Sequence, residues 1–240
     1  VRPDAILHAA ALKHLPLLER YPGEAWKTNI VGTENLLRAS VDFRVSTFVN
    51  ISTDKAADPV SVLGKTKLAT EILTWVYQQE VPDSRYMSVR FGNVLGSRGS
   101  VLSLFREQAA RNAPITVTDP DVTRFFMTIQ EAVHLVLQSA AFGGEGDTLI
   151  LDMGRPILIL DIARRILAKS ESKSSITFTG LRNGEKIHET LIGDLEVSKP
   201  TDHHNISRIL RGEHDRLFLG ELIESLEVDP NLPKRWAAST

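Results

Sequence analysis

Thr47-Phe48-Val49-Asn50-Ile51-Ser52-Thr53-Asp54-Lys55 is an apolar, β-rich run that ends in an acid and an amine side by side. The residues that follow, Ala56-Ala57-Asp58-Pro59-Val60-Ser61-Val62-Leu63-Gly64-Lys65-Thr66-Lys67, read as a loop and then the start of a helix. Lys67 stands one helical turn after Leu63, on the same face. A buried strand that delivers charged groups to its carboxyl end, and then a helix, is the repeating unit of parallel α/β proteins.

The same unit recurs on either side. Ala5–Ala10 reads as a strand, and Glu24–Ser40 as a helix with Trp26, Ile30, Thr33 and Leu37 on one stripe. Val62–Gln79 continues as a helix with Leu68, Ile72, Trp75 and Gln79 on one face. Arg85–Val94 reads as a strand running into the glycine-rich turn Gly92–Gly99. Helices are expected over Val101–Arg111, Thr128–Ala141 and Ile159–Ala168. A short strand is expected at Thr148–Met153, and another at Ile176–Thr179 before a turn at Asn183-Gly184. Ligands of parallel sheets sit beyond the carboxyl ends of the strands. His8–Lys13, Ser52–Lys55 and Gly92–Gly99 all fall there, so three polar clusters share one rim.

Bulk properties narrow the function. A chain of 240 residues can bury a sizeable core. The net charge of −2, with scattered Lys and Arg, gives no electrostatic reason to expect nucleic acid. No apolar run has the length of a membrane span, so no membrane segment is expected in these residues. With no Cys there are no disulfides or thiolate metal sites, and a cytoplasmic setting fits. His203-His204 alone does not make a metal site, and none is expected.

The motifs, in order, are His8-Ala9-Ala10-Ala11-Leu12-Lys13-His14, Asn29-Ile30-Val31-Gly32-Thr33-Glu34-Asn35, Ser52-Thr53-Asp54-Lys55-Ala56, Arg90-Phe91-Gly92-Asn93-Val94-Leu95-Gly96-Ser97-Arg98-Gly99-Ser100-Val101, Thr123-Arg124-Phe125-Phe126 and Gly184-Glu185-Lys186-Ile187-His188-Glu189. In this order and spacing, from residue 1 to about 192, the chain resembles the UDP-N-acetylglucosamine 4,6-dehydratases of polysaccharide and glycan biosynthesis. That family belongs to the extended short-chain dehydrogenase/reductases. The resemblance implies a Rossmann-like parallel sheet with a smaller C-terminal substrate-binding region. It assigns residues 1–95 to the remaining part of an NAD-binding domain. Residues 96–212 then form mainly a nucleotide-sugar-binding region, with a return to the sheet near 128–155, and 213–240 a peripheral tail.

The chain opens almost at once in a buried-type strand, and no G-x-G-x-x-G follows an early strand. The early βα units are therefore expected upstream, with the pyrophosphate turn of the cofactor. A full-length protein of this family can also carry a membrane region that anchors it on the cytoplasmic side.

The resemblance further implies NAD, or NADP, a UDP-sugar substrate and a homo-oligomer. It casts Asp54 as the acid that protonates O6 and Lys55 as the base that takes the C5 proton. Solution values near 3.9 for Asp and 10.4 for Lys oppose those roles, so a dry pocket is expected to return the proton to Asp54. Lys67 would hold the nicotinamide ribose, with His8, Ala9 and Ala10 lining the cofactor. In most short-chain dehydrogenases a Tyr precedes this Lys by four residues; here it is Leu63. Some family members with Met there remain retaining dehydratases, so retention at C5 is expected, with Thr53 or a water it holds relaying the O4 proton. Lys13, Asn93, Arg98, Arg124 and Glu185 are cast as substrate-binding, Arg124 as a fork for phosphate oxygens. Glu185 is also placed to cap a following helix. A nucleotide-sugar epimerase and a non-catalytic nucleotide-sugar or NAD binder are the alternatives.

Overall fold

Parallel strands dominate one six-stranded sheet in the computed structural model, which describes residues 2–97, 99–170 and 172–226. Strand β1 (Ala5–His8) leads through helix α1 (Leu15–Arg20) and helix α2 (Pro22–Ala25). A π-helical turn at Trp26–Val31 then joins α2 to α3 (Gly32–Asp42). Strand β2 (Thr47–Ile51) ends in a tight turn at Asp54–Ala56, followed by α4 (Val62–Glu80) and β3 (Arg85–Arg90). Next come β4 (Asn93–Val94), α5 (Val101–Ala110), β5 (Ile115–Val117), β6 (Thr123–Arg124) and β7 (Phe126–Met127). Helix α6 (Ile129–Phe142) returns the chain to the sheet as β8 (Thr148–Leu151). The rest is β9 (Ile157–Leu158), α7 (Ile159–Lys169), β10 (Ile176–Phe178), β11 (Ser198–Pro200), β12 (Ile206–Ile209) and α8 (Glu213–Glu224).

The sheet order is β1-β2-β3-β8-β12-β11. The first four strands are parallel, with Leu7, Val49 and Met87 in register, and β12 and β11 close the edge antiparallel. Alternation along the strands builds two cores. Phe48 and Tyr86 face α3, α4 and α8; Val49 and Met87 face α6. A third, smaller core joins α5, β5 and α7 through Phe105, Ile115, Val117, Ile159 and Ala163. The expected α/β architecture is present.

Four readings change. The strand expected over Arg85–Val94 stops at Arg90, and Asn93-Val94 pairs instead with Phe126-Met127. Gly92 makes that break possible. A Cβ there would lie 2.9 Å from both Asp54 Oδ2 and Phe125 Cβ. Helix α4 does not have one apolar face: Thr66, Thr70, Thr74, Glu71 and Gln78 are buried along with Leu68, Ile72 and Trp75, and Gln79 is exposed. Of the expected tail 213–240, residues 227–240 lie outside the described residues, and residues 213–226 are not peripheral. Leu219, Leu222 and Ile223 of α8 pack into the core that α4 forms with Phe48 and Tyr86. The sheet also receives β11 and β12, so the main sheet recruits residues well beyond 155.

Candidate active site

β1, β2 and β3 run parallel, so His8, Ser52–Asp54 and Phe91–Asn93 emerge on one rim. The Ser52 and Asp54 amides donate to Val89 and Phe91 carbonyls, at 2.7 and 3.1 Å, which carries the sheet register into the turn. Ser61 then caps α4 by accepting from the Gly64 amide at 3.0 Å. Gly64 must be glycine, because a Cβ would meet the Lys55 carbonyl oxygen at 2.2 Å. The helix therefore starts in direct contact with the backbone of the acid–amine turn.

A cleft of about 500 Å³ opens above this rim. Thr53, Lys55, Leu63, Lys13, Asn93, Arg124 and Glu185 all line it, so residues scattered through the chain share one surface. Arg98 lies outside the described residues. His8 is buried while Ala9 and Ala10 are exposed beside it, at the end of the edge strand.

Asp54 is fully buried. Its Oδ1 accepts from the Thr53 hydroxyl at 2.9 Å and from Lys55 Nζ at 3.0 Å. A second carboxylate, Glu189, approaches Lys55 Nζ to 3.6 Å with its side chain 3% exposed. Burial works against the Lys55 charge, but the Asp54 and Glu189 carboxylates and the Asp54 hydrogen bond outweigh it, so the amine is held above its ordinary value. Asp54 and Lys55 thus form a salt bridge. The sequence reading of a neutral acid–amine pair did not include Glu189, the second carboxylate beside the amine. Asp54 Oδ2 and Glu189 Oε2 are buried with no hydrogen-bond partner among the described residues. Orphaned acceptors cost about 1–3 kcal/mol each, which marks this cluster as unfinished without a further partner.

Lys67 is 6% exposed. Burial lowers it to about 8, opposed in part by Glu71. His8 is lowered to about 4 by burial and by the Lys67 charge, so it is neutral at pH 7. The Thr33 hydroxyl donates to the Asn29 carbonyl at 2.6 Å, so the His8 Nε2 at 2.8 Å from that hydroxyl is the donor of its pair. A buried ammonium beside a neutral imidazole suits a polyhydroxyl group.

Arg124 does not present a free fork. Its guanidinium donates to the Thr123, Ile187 and Lys186 carbonyls at 2.7, 3.0 and 2.9 Å, and to Glu185 Oε1 at 3.3 Å. Its chemistry is spent on holding the 185–187 backbone against the cleft. Glu185 caps no helix; it closes the turn before it, its Oε2 accepting from the Arg182 amide at 3.2 Å. Gly184, with φ of 73°, supplies that turn.

Two residues of this site were quoted in motifs without a role. Asn29, in the π-helical turn, accepts from the Leu12 amide at 2.8 Å and donates to the Leu12 carbonyl and to Thr66, pinning the loop after β1 to α4. Glu189 reaches Lys55 across 134 residues of sequence (189 less 55), a contact that no local pattern encodes.

Residues 1–211 match the polysaccharide biosynthesis protein family. The chain belongs to that family. It is 44% identical over 224 residues to the capsular polysaccharide biosynthesis protein CapD of Staphylococcus aureus, covering 92% of this chain and 37% of CapD. A UDP-glucose 4-epimerase of Rickettsia bellii is 39% identical over 224 residues, covering 92% of this chain and 65% of the relative. Among solved structures, Pen from Bacillus thuringiensis superposes with a TM-score of 0.78 at 34% identity, over 86% of this chain and 66% of Pen. The chain thus spans little more than a third of CapD and just under two thirds of the other two. Among the described residues no helix is long and apolar enough to cross a membrane.

Proposed function

We propose that this chain carries the catalytic residues of an NAD-dependent 4,6-dehydratase acting on a UDP-N-acetylhexosamine, with UDP-N-acetylglucosamine the expected substrate and configuration retained at C5. The observation that carries the reading is the Asp54–Lys55 pair, with Asp54 buried beneath the cleft wall that Thr53 and Lys55 line. Lys67, a buried lysine whose charge reaches His8, fits the ribose of a nicotinamide dinucleotide. Such a group, when bound, supplies hydride removal from C4 and return at C6.

Everything else falls to the side chains. Oxidation at C4 acidifies the C5 proton. For elimination the ion pair must first become acid and amine, by transfer of a proton from Lys55 Nζ to Asp54 Oδ1 along their 3.0 Å hydrogen bond. A sugar covering the cleft removes the water that stabilises both charges and so favours this form. Lys55 then takes the C5 proton, the C6–O6 bond breaks, and Asp54 protonates the departing oxygen. General acid–base steps of this kind contribute roughly 10²–10⁴-fold each. Thr53, on the cleft wall and bonded to Asp54, is the hydroxyl assigned here to the O4 proton. Lys13 and Asn93 contribute the polar wall on which the nucleotide would lie. A homo-oligomer in a cytoplasmic setting belongs to the same reading.

A 4-epimerase is the second reading, favoured by the name of the Rickettsia relative. It needs no proton transfer at C5, which leaves the Asp54–Lys55 pair without a task, and Leu63 stands where such enzymes keep their Tyr. The deciding assay incubates the full-length protein with UDP-N-acetylglucosamine and NAD and weighs the nucleotide sugar. Loss of one water supports the dehydratase. Unchanged mass with altered sugar configuration supports the epimerase, and binding without change supports a non-catalytic binder.

A further inference from the structure

Glu189 occupies a place that the acid–amine chemistry leaves unassigned. Its side chain is almost completely buried, its Oε1 lies 3.6 Å from Lys55 Nζ, and its Oε2 has no hydrogen-bond partner among the described residues. It lines the cleft beside Lys55 and Glu185. The segment that carries it is fastened at several points. Arg124 grips the Lys186 and Ile187 carbonyls, and Lys186 Nζ donates to the Ala57 carbonyl at 2.8 Å. Thr123 bonds His188 Nδ1 at 2.9 Å. A carboxylate that only filled space would not need this support, nor would it be left with an orphaned oxygen beside a cation.

We propose that Glu189 is a positioning residue for Lys55: it aims the amine into the cleft and stabilises the ammonium that forms as Lys55 takes the C5 proton. The inference rests on the dehydratase reading. In the elimination step the C5–H bond breaks and its proton moves to the Lys55 nitrogen. The C5–H electron pair becomes the C5–C6 double bond. The C6–O6 bond breaks, and the Asp54 carboxyl gives O6 the proton with which it leaves as water. The site passes from a neutral acid and amine to a carboxylate and an ammonium. Asp54 pairs with that ammonium from one side and Glu189 from another, and both carboxylates are in place before the charge develops. Preorganised charge of this kind is worth more than a partner that must move in during the step. Arg124 acts one step further out, by holding the strip that carries Glu189.

The test compares full-length wild-type protein with Glu189→Gln, which keeps the shape and removes the charge, and Glu189→Asp, which keeps the charge and shortens the reach. Two readouts are taken. One is turnover of UDP-N-acetylglucosamine against pH. The other is trace labelling of Lys55 with acetic anhydride against pH, read by peptide mass spectrometry, which reports on the amine whether or not the protein turns over. Glu189→Gln is expected to lower kcat by about 10²-fold with KM little changed. It should also move the Lys55 labelling curve and the matching limb of the pH–rate profile down by about one unit. Glu189→Asp should restore part of both. If the labelling curve stays in place in a folded Gln variant, Glu189 does not govern Lys55 and the proposal is overturned. A moved labelling curve with a wild type that dehydrates no nucleotide sugar would keep the Glu189–Lys55 coupling and sink the dehydratase reading instead. Should the Gln variant fail to fold, Glu189→Asp decides by the same curve: an unshifted amine with wild-type kcat at the shorter reach removes the positioning role.

Discussion

Two buried clusters of carboxylates and cations meet at the end of β2, one built around Ser52 and the other around its neighbours Thr53 and Asp54. In the first, Glu71 and Arg90 are fully buried and paired at 2.5 Å. Glu196 bonds Arg90 at 2.7 Å, and Arg211 bonds Glu71, Glu196 and Asp215 at 2.6, 3.0 and 2.9 Å. The Ser52 hydroxyl and the Leu191 carbonyl fill further positions. Arg90 is held above its ordinary value, its burial outweighed by Glu71 and Glu196. In the second cluster one amine serves two carboxylates, and each carboxylate keeps an oxygen with no partner among the described residues. The ingredients are alike and the degree of satisfaction is not. A saturated network fixes architecture: this one ties α4 and β3 to the segment around 191–215. An unsaturated one whose Lys55 and Glu189 line a cleft is free to exchange protons.

The contrast can be broken most sharply at Lys55. On the proposed dehydratase reading, Lys55→Met should cut turnover by roughly 10²–10⁴-fold while UDP still binds. Turnover within a few-fold of wild type would remove Lys55 from the chemistry. Arg90→Met tests the other cluster. It leaves Glu71 and Glu196 buried beside a lost cation and should cost about 3–5 kcal/mol of stability, read by denaturant unfolding. A loss below about 1 kcal/mol would mean that the network is not the clamp described here.

Lys67 sharpens the comparison through pH. Its folded value of about 8 lies below the ordinary 10.5, so the unfolded chain binds more protons between those limits. Its charge therefore destabilises the fold fully below about pH 8, and stability is regained as pH rises towards 10.5. The whole effect is of order 3 kcal/mol. Unfolding curves at pH 8 and 10 should show wild type gaining relative to Lys67→Met. Parallel pH dependences in the two proteins would contradict the assignment. The smallest effect is expected at Gly92, where the Cβ of Gly92→Ala would press on Asp54 Oδ2 and Phe125. About 1–3 kcal/mol of stability should be lost, with turnover reduced as Asp54 is displaced. An alanine variant with wild-type stability and rate would show that Asp54 has room to spare.

The strand at Thr47–Ile51, the helix that follows Ser61 and the shared rim of His8, Asp54 and Asn93 were legible because they depend on local pattern and on the geometry of parallel strands. The stripe Trp26, Ile30, Thr33, Leu37 was also legible, and all four residues are buried. Helix α4 misled the periodic reading because its polar residues are satisfied internally. Thr70 bonds the Lys67 carbonyl and accepts from Asn50, and Glu71 sits in the ion network. Arg124 misled it for a related reason. A guanidinium in an aromatic stretch looks available for phosphate until the carbonyls of residues 123, 186 and 187 are brought round it.

By itself the sequence determined which groups stand at strand ends, since a side-chain period of two and a tight turn after each strand leave little freedom there. It also determined that Lys67 and Leu63 share a helix face, through the 3.6-residue turn. Only the tertiary structure decided the company those groups keep. It brought Glu189 to Lys55, and it folded α8 into the core. It also gave Arg90 two carboxylates, one from α4 and one from a segment more than a hundred residues away. Electrostatic partnership depends on distance in space and on exclusion of water, and neither is written in the local order of the residues.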